Sequence, residues 1–167
     1  MQTKKGEITM RPYEVFVSRF GGKVAFNSEF IIEKGQRYYL LNPRLKKIGQ
    51  GDFYYAGLYL GKVGNKGIFF PSFNLLNMLV TVAANKIVVD QKAAWLFICG
   101  RDVFREGIVK VMGSKRKGEA ALVINEFGEC LGFGKIMGNL DESESKLAVN
   151  NVLDVGDFLR RERRGNF

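Results

Sequence analysis

Histidine is absent from this 167-residue sequence, and cysteine occurs only twice. Without histidine, Ser-His-Asp and Cys-His catalytic arrangements and imidazole-based metal sites are excluded. Cys99 and Cys130 lie outside any CxxC spacing, and two thiolates alone do not make a structural zinc site. We therefore expect no metal, no cofactor, and two buried, unreactive thiols in a reduced intracellular compartment.

The sequence also lacks phosphate-binding loops and long apolar runs. It has no GxxxxGK[ST] motif, and the GFG at residues 132–134 lacks the third glycine of a dinucleotide-binding motif. The most apolar run, residues 75–84, is too short and too interrupted to span a bilayer, and the N-terminus does not resemble a signal peptide. Glu142 and Glu144 lie in a polar turn, where nothing perturbs a carboxylate for catalysis. These absences predict a cytoplasmic protein that is not an enzyme and does not contact membranes.

Charge is the strongest compositional signal. The chain has 26 basic and 17 acidic residues, a net charge of +9 and a pI near 9.6. This balance favours a phosphate-bearing partner such as RNA, although anionic membranes and acidic proteins have the same electrostatic preference. Residues 1–92 carry 14 basic and 6 acidic side chains, whereas residues 93–167 carry 12 and 11. In the second part the charges are clustered, with a basic loop at residues 115–117 and four arginines between residues 160 and 164.

The first part of the chain predicts an α+β unit. Segments rich in Phe, Tyr and Val, separated by Gly or Pro, predict strands at residues 14–20, 23–26, 36–41 and 53–63. Ser72 is a suitable N-cap, and apolar residues follow it at helical spacing, which predicts a helix over residues 72–84. We place a domain boundary after this helix, which divides the chain into residues 1–85 and 86–167.

From residue 86 the pattern predicts a strand at 86–90, a helix at 91–99 and a small β-barrel built from strands at 108–112, 120–124 and 131–137. In GRDVFREGIVK, residues 100–110, a short helix stops at Gly107 and becomes a strand that carries Lys110. This glycine is a candidate phosphate seat. Gly132 and Gly134 share one face of their strand, where the missing side chains let another backbone approach.

A closing helix is predicted over residues 152–164. At 100° per residue, Arg160, Arg161 and Arg164 project opposite the apolar side and form a cationic face. An ordinary solvated helix also fits, because Asp154 and Asp157 lie in the first turn, where the helix dipole favours them. Beside a basic loop and basic strands, RNA contact is the preferred interpretation.

The GNKG at residues 64–67 matches the backbone clamp of KH domains, which lies between two helices. Strand-forming residues flank it here, so we predict a hairpin turn from which Lys62 and Lys66 could still contact a phosphate. The many aromatic residues are more typical of a core than of base stacking, and none is assigned to RNA.

Two segments together resemble the core of a PUA domain, a small RNA-binding fold. They are GRDVFREGIVK at residues 100–110 and NEFGECLGFGK at residues 125–135, where Gly128 can take the positive φ of a tight turn. LYLGKV at residues 58–63 and DVGDFLRRE at residues 154–162 extend the resemblance over about residues 36–164. The chain as a whole is similar to archaeal members of the Nip-seven family of large-ribosomal-subunit biogenesis factors.

This resemblance implies an α/β pre-PUA domain with a mainly antiparallel sheet, followed by a PUA pseudo-barrel, a small mixed β-barrel with short helices. The start of the chain departs from the family pattern. Met10-Arg11-Pro12 matches the usual start after nine additional residues, but the acidic helical stretch expected next is replaced by residues 13–20, which are strand-like.

The function predicted is RNA recognition without catalysis, in large-subunit assembly and pre-rRNA processing. The expected partners are RNA, single-stranded or pre-ribosomal, and assembly or RNA-processing proteins, with the chain itself a monomer. The alternative is an adaptor protein that regulates an RNA-processing complex such as the archaeal exosome. The candidate phosphate-binding residues are Lys110, Lys115, Arg116, Lys117, Lys135, Arg160, Arg161 and Arg164.

Overall fold

The computed structural model describes residues 10–22, 27–48, 57–142, 145–157 and 160. Its helices are α1 (Pro12–Ser18), α2 (Pro43–Ile48), α3 (Phe73–Leu79) and α4 (Gln91–Ile98), with 3-10 turns at Ser28–Phe30 and Arg105–Gly107. Its strands are β1 (Ile31–Lys34), β2 (Arg37–Leu40), β3 (Leu58–Val63), β4 (Phe69–Pro71), β5 (Lys86–Val89), β6 (Val103–Phe104), β7 (Ile108–Met112), β8 (Ala120–Asn125), β9 (Cys130–Ile136) and β10 (Leu147–Asp154). The fold is α+β.

The strand predicted at residues 14–20 is wrong, because this segment forms α1. Pro12 occupies the first helical position, and the Glu14 carboxylate accepts a 2.8 Å hydrogen bond from the Arg11 amide. Its buried side chains, Tyr13, Phe16 and Val17, continue to Phe20 at i, i+3, i+4 and i+7. This helical period outweighs the β-propensity of the aromatic and β-branched residues.

The first sheet has the order β1-β2-β3-β4, and every pair is antiparallel. Strands β2 and β3 confirm the predictions at 36–41 and 53–63 where the chain is described, whereas residues 23–26 and 53–56 lie outside the described part. Residues 64–67 form the predicted turn between β3 and β4, closed by a 2.9 Å hydrogen bond from Gly64 N to Ile68 O. The Ser72 hydroxyl caps α3 by accepting from Leu75 N, and the helix ends at Leu79 rather than at residue 84.

The second sheet has the order β6-β10-β9-β8-β5-β7 and is mixed, because β5 and β8 run parallel and the other pairs are antiparallel. The strands predicted at 86–90, 108–112, 120–124 and 131–137 are confirmed within one or two residues, as is the helix at 91–99. Gly128 has the expected positive φ of 81° in the turn between β8 and β9.

Strand β10 was not predicted, and it corrects the start of the closing helix. Residues 152–154 belong to this strand and pair with β9, so they cannot form a helical turn. The close backbone approach expected at Gly132 and Gly134 is confirmed. A Cβ on Gly132 would collide with Leu153 O, and one on Gly134 would lie 2.5 Å from Asn150 O. In the segment predicted to form the closing helix, the structure describes helical backbone at Asp157 and Arg160.

Two apolar clusters fill the interior. The first joins α1, the first sheet and α3 to Leu122 and Ile124 of β8, with Phe133 packed against it. The second lies between α4 and the opposite face of the second sheet. Division of the chain after residue 85 stays a prediction, and the first cluster draws on both sides of it. Among the described helices, none has the length and apolar character needed to cross a membrane.

Candidate nucleic-acid interface

A buried asparagine shapes the basic loop between β7 and β8. Asn85 is only 5% exposed. Its Oδ1 accepts a 2.9 Å hydrogen bond from Ser114 N, at the start of the loop. Its Nδ2 donates to Glu119 Oε2 and Ala120 O, both at 3.4 Å, where the loop re-enters the sheet. One side chain therefore fixes both ends of the segment that carries Lys115, Arg116 and Lys117.

The loop borders a groove between the two halves of the chain. Arg19, just after α1, and Lys135 of β9 line this groove, which has a volume of about 450 Å³ and includes the half-buried ring of Phe133. Lys135 Cε lies 3.9 Å from where a Cβ on Gly118 would be, so its side chain extends along the end of the basic loop. In the described part of the chain, neither Arg19 nor Lys135 forms an ion pair. We call this feature the junction groove.

The three loop cations have different surroundings. Lys115 Nζ lies 2.6 Å from Asp141 Oδ1, in an ion pair whose side chains are 43% and 60% exposed. Such an exposed pair holds a lysine only weakly. Arg116 and Lys117 are exposed, and no carboxylate of a described residue pairs with them. The loop thus presents two available cations beside Lys135, and Lys115 is turned towards Asp141.

Lys110 lies away from this group. It sits on the edge strand β7 opposite Val88, and β5 and β8 separate β7 from β9. Three strand spacings correspond to about 14 Å. Gly107, the candidate phosphate seat, is buried, and a Cβ on it would lie 2.5 Å from Ala93 Cβ. The close packing of α4 against residue 107 explains the glycine.

Arg160 does not project into solvent as predicted. Its guanidinium donates to Ile98 O at 2.7 Å and to Asp154 Oδ2 at 2.5 Å. Asp154 is buried at the end of β10, instead of lying in the first turn of a helix. The hydrogen bond to Asp154 raises the pKa of the guanidinium. Arg160 therefore stabilises the junction of α4 and β10, and Arg161 and Arg164 lie outside the described residues.

The two thiols also differ from one another. Cys99 is exposed, so the expectation of a buried thiol is wrong for it. Cys130 is partly buried, and burial raises the pKa of its thiol to about 11. Within the described residues, no group of three potential ligands could hold a metal ion.

Sequence reasoning missed Arg19 and Asn85. Arg19 lay in a segment interpreted as a strand, and the helical spacing of residues 13, 16, 17 and 20 was the available signal for its true position. No local pattern marks Asn85, because its partners are 29 to 35 residues away in sequence.

The fold places the protein among those with a PUA domain. A conserved PUA domain protein from Thermoplasma acidophilum superposes with a TM-score of 0.59 at 22% identity, over 90% of this chain and 91% of that one. A PUA domain from Aeropyrum pernix K1 gives 0.57 at 16% identity, over 91% and 86% of the two chains. At these identities the likeness establishes the fold alone.

Sequence comparison gives the family. Residues 85–163 match the UPF0113 PUA domain. A UPF0113 protein from Archaeoglobus fulgidus is 30% identical over 135 residues, which are 78% of this chain and 76% of that protein. The chain therefore belongs to the UPF0113 family.

Proposed function

We propose that this protein binds single-stranded or pre-ribosomal RNA through its PUA domain and acts without catalysis. One observation carries the proposal: the junction groove places Arg19 and Lys135 together beside the exposed Arg116 and Lys117, and none of the four has an ion-pair partner among the described residues. Four such cations on one surface attract the phosphates of a nucleic acid strand.

The groove also suits a nucleotide in its shape and lining. Phe133 and Val152 supply apolar surface between the cations. Gly118 and Gly134 also line the groove, and because they have no side chains they do not narrow it. Glu119, the one carboxylate among the described residues that line the groove, accepts a hydrogen bond from Asn85. A phosphate at Lys135 would therefore meet more positive than negative charge.

For the cellular role, we propose large-ribosomal-subunit assembly and pre-rRNA processing, as a cytoplasmic monomer. The support is the resemblance to the Nip-seven family in the segments at residues 58–63, 100–110, 125–135 and 154–162. Membership of the UPF0113 family agrees with this resemblance but does not by itself specify a cellular role.

A second candidate function is that of an adaptor for an RNA-processing complex such as the archaeal exosome. The observation that favours it is an apolar patch on α4 and β6, where Trp95 is 65% exposed and Leu96 and Phe104 are exposed beside it. Asp90, Asp102 and Glu106 line the pocket next to this patch, so its rim repels RNA and suits a protein.

The RNA proposal is tested by filter binding of a single-stranded RNA over a range of salt concentrations. Each neutralised phosphate contributes about 0.7 to the log-log salt slope on single strands, so the triple variant Arg116→Ala, Lys117→Ala, Lys135→Ala should lose affinity and about two units of slope. Lys92→Ala is the matched control, because it removes an exposed cation on α4 and should change neither. Wild-type affinity and slope in the triple variant would contradict the proposal.

A further inference from the structure

The outer face of the first sheet carries a row of basic residues that ends in an aromatic ring. Arg37 of β2 pairs directly with Lys62 of β3, and Lys62 pairs with Phe70 of β4. All three are exposed. Their neighbours Tyr38, Val63 and Phe69 point to the other side, into the first apolar cluster. Side chains directly opposite in antiparallel strands share a face and lie about 5 Å apart at Cβ.

Two cations directly opposite each other are unfavourable in a sheet, because like charges on cross-strand neighbours repel. No carboxylate of a described residue forms an ion pair with Arg37 or Lys62, so no described acidic side chain offsets the repulsion. Lys66, exposed in the turn between β3 and β4, adds a third cation and lines the same 370 Å³ pocket as Lys62 and Phe70. An anion bound over this row would relieve the repulsion.

Phe70 presents its ring to solvent. The residue is 46% exposed, and its ring packs against Gly64, where a Cβ would come within 2.7 Å of Phe70 Cε2. The glycine therefore lets the ring approach the turn closely, and Lys62 and Lys66 line the same pocket. An exposed aromatic ring between cations is the arrangement with which proteins stack the bases of single-stranded nucleic acids and neutralise the adjacent phosphates.

We propose that this outer face, defined by Arg37, Lys62, Lys66 and Phe70, is a second RNA-binding surface. One nucleobase stacks on Phe70, and the flanking phosphates lie against the three cations. Four-stranded antiparallel sheets bind RNA in this way in other folds. The inference shares only its ligand class with the proposed function, because it uses a different sheet and different residues from the junction groove.

The chain contains its own control for this inference. Phe127, in the turn between β8 and β9, is 89% exposed, so it offers even more ring surface than Phe70. Its neighbours Glu126 and Glu129 are exposed carboxylates, which repel phosphates. If charge selects the stacking site, Phe70 should bind a base and Phe127 should not.

The test uses the full chain and a single-stranded RNA of about 12 nucleotides, which is within the site size of such proteins and carries 2-aminopurine as a stacking reporter. Phe70→Leu should weaken binding about tenfold and abolish the quenching of 2-aminopurine at saturation. Phe70→Tyr should retain both, and Phe127→Leu should leave both unchanged. Lys62→Ala should lower the salt slope by about 0.7. Because Phe70 is exposed, the melting temperature of Phe70→Leu should match the wild type.

Wild-type affinity and quenching in Phe70→Leu would overturn the inference, as would an equal loss in Phe127→Leu. Failure of the proposed function gives a different pattern. If the triple variant of the basic loop and Lys135 binds normally while Phe70→Leu does not, the first sheet is an RNA surface and the junction groove is not. If the triple variant alone loses affinity, the groove binds RNA and this inference fails.

Discussion

At the scale of single residues, Asn85 bonds to partners that are 29 to 35 residues away in sequence. Its side chain fixes both ends of the basic loop from inside the protein, so Asn85→Ala leaves Ser114 N and Ala120 O without that partner. We expect a loss of about 1–3 kcal/mol in the free energy of unfolding, together with weaker RNA binding. Chemical denaturation and filter binding measure the two effects. Asn74→Ala, at an exposed position on α3, should be neutral in both.

The two cysteines give a second prediction at this scale. Cys99 is exposed, whereas Cys130 is partly buried and its thiol has a pKa near 11. Because the thiolate is the reactive form, iodoacetamide at pH 8 should modify Cys99 in the folded protein and Cys130 only after denaturation. Peptide mass spectrometry identifies the modified residue. Equal labelling of both thiols in the folded state would contradict the environment described for Cys130.

At the scale of elements, the ion pair between Arg160 and Asp154 joins the last described helical residue to β10 and α4. Arg160→Ala would leave a buried carboxylate without its cation. The cost should be about 2 kcal/mol, below the range for fully buried pairs because the arginine side chain is 33% exposed. Thermal unfolding measures the effect, with Arg101→Ala as the control for an exposed arginine nearby.

Arg160, Arg161 and Arg164 were all predicted to bind phosphate, and variants at these positions distinguish a role in stability from a role in RNA binding. Arg161→Ala with Arg164→Ala should reduce RNA affinity at low salt and leave the melting temperature unchanged, if these residues contact phosphates. Arg160→Ala should mainly lower the melting temperature. A loss of thermal stability in the double variant would instead assign those two arginines a structural role.

Elements with strong local signals were predictable from the sequence, and those determined by distant contacts were not. Ser72 is a typical N-cap residue and marks the start of α3 in the sequence. Asp90 caps α4 in the same way, and its Oδ1 lies 2.7 Å from Ala93 N. Strand β10 was missed because its pairing depends on Gly132 and Gly134, and its polar Asn150 and Asn151 interrupt the apolar pattern. The sequence was sufficient to predict that the candidate site consists of basic side chains. It was not sufficient to predict which of them lie together, because Arg19 and Lys135 meet only through tertiary packing.

At the scale of the whole molecule, both halves of the chain contribute to one apolar cluster. A fragment of residues 86–167 would expose Leu122, Ile124 and Phe133, whose ring contacts Phe16 and Phe20 at centroid distances of 5.4 and 5.7 Å. We expect this fragment to bind a hydrophobic dye and to melt at a lower temperature than the full chain. Fluorescence and calorimetry test this. A fragment with the melting temperature of the full chain and no dye binding would contradict it.

The shared cluster has a consequence for how a long RNA would be held. It links the sheet that carries Phe70 to the sheet that carries Lys135, so the two proposed surfaces cannot separate as they could on a flexible tether. A strand that reaches both would make its second contact at a high effective concentration, and one too short to bridge them would gain nothing. Affinity should therefore rise in a step as the RNA is lengthened. The length at that step would measure the path between the two surfaces in nucleotides.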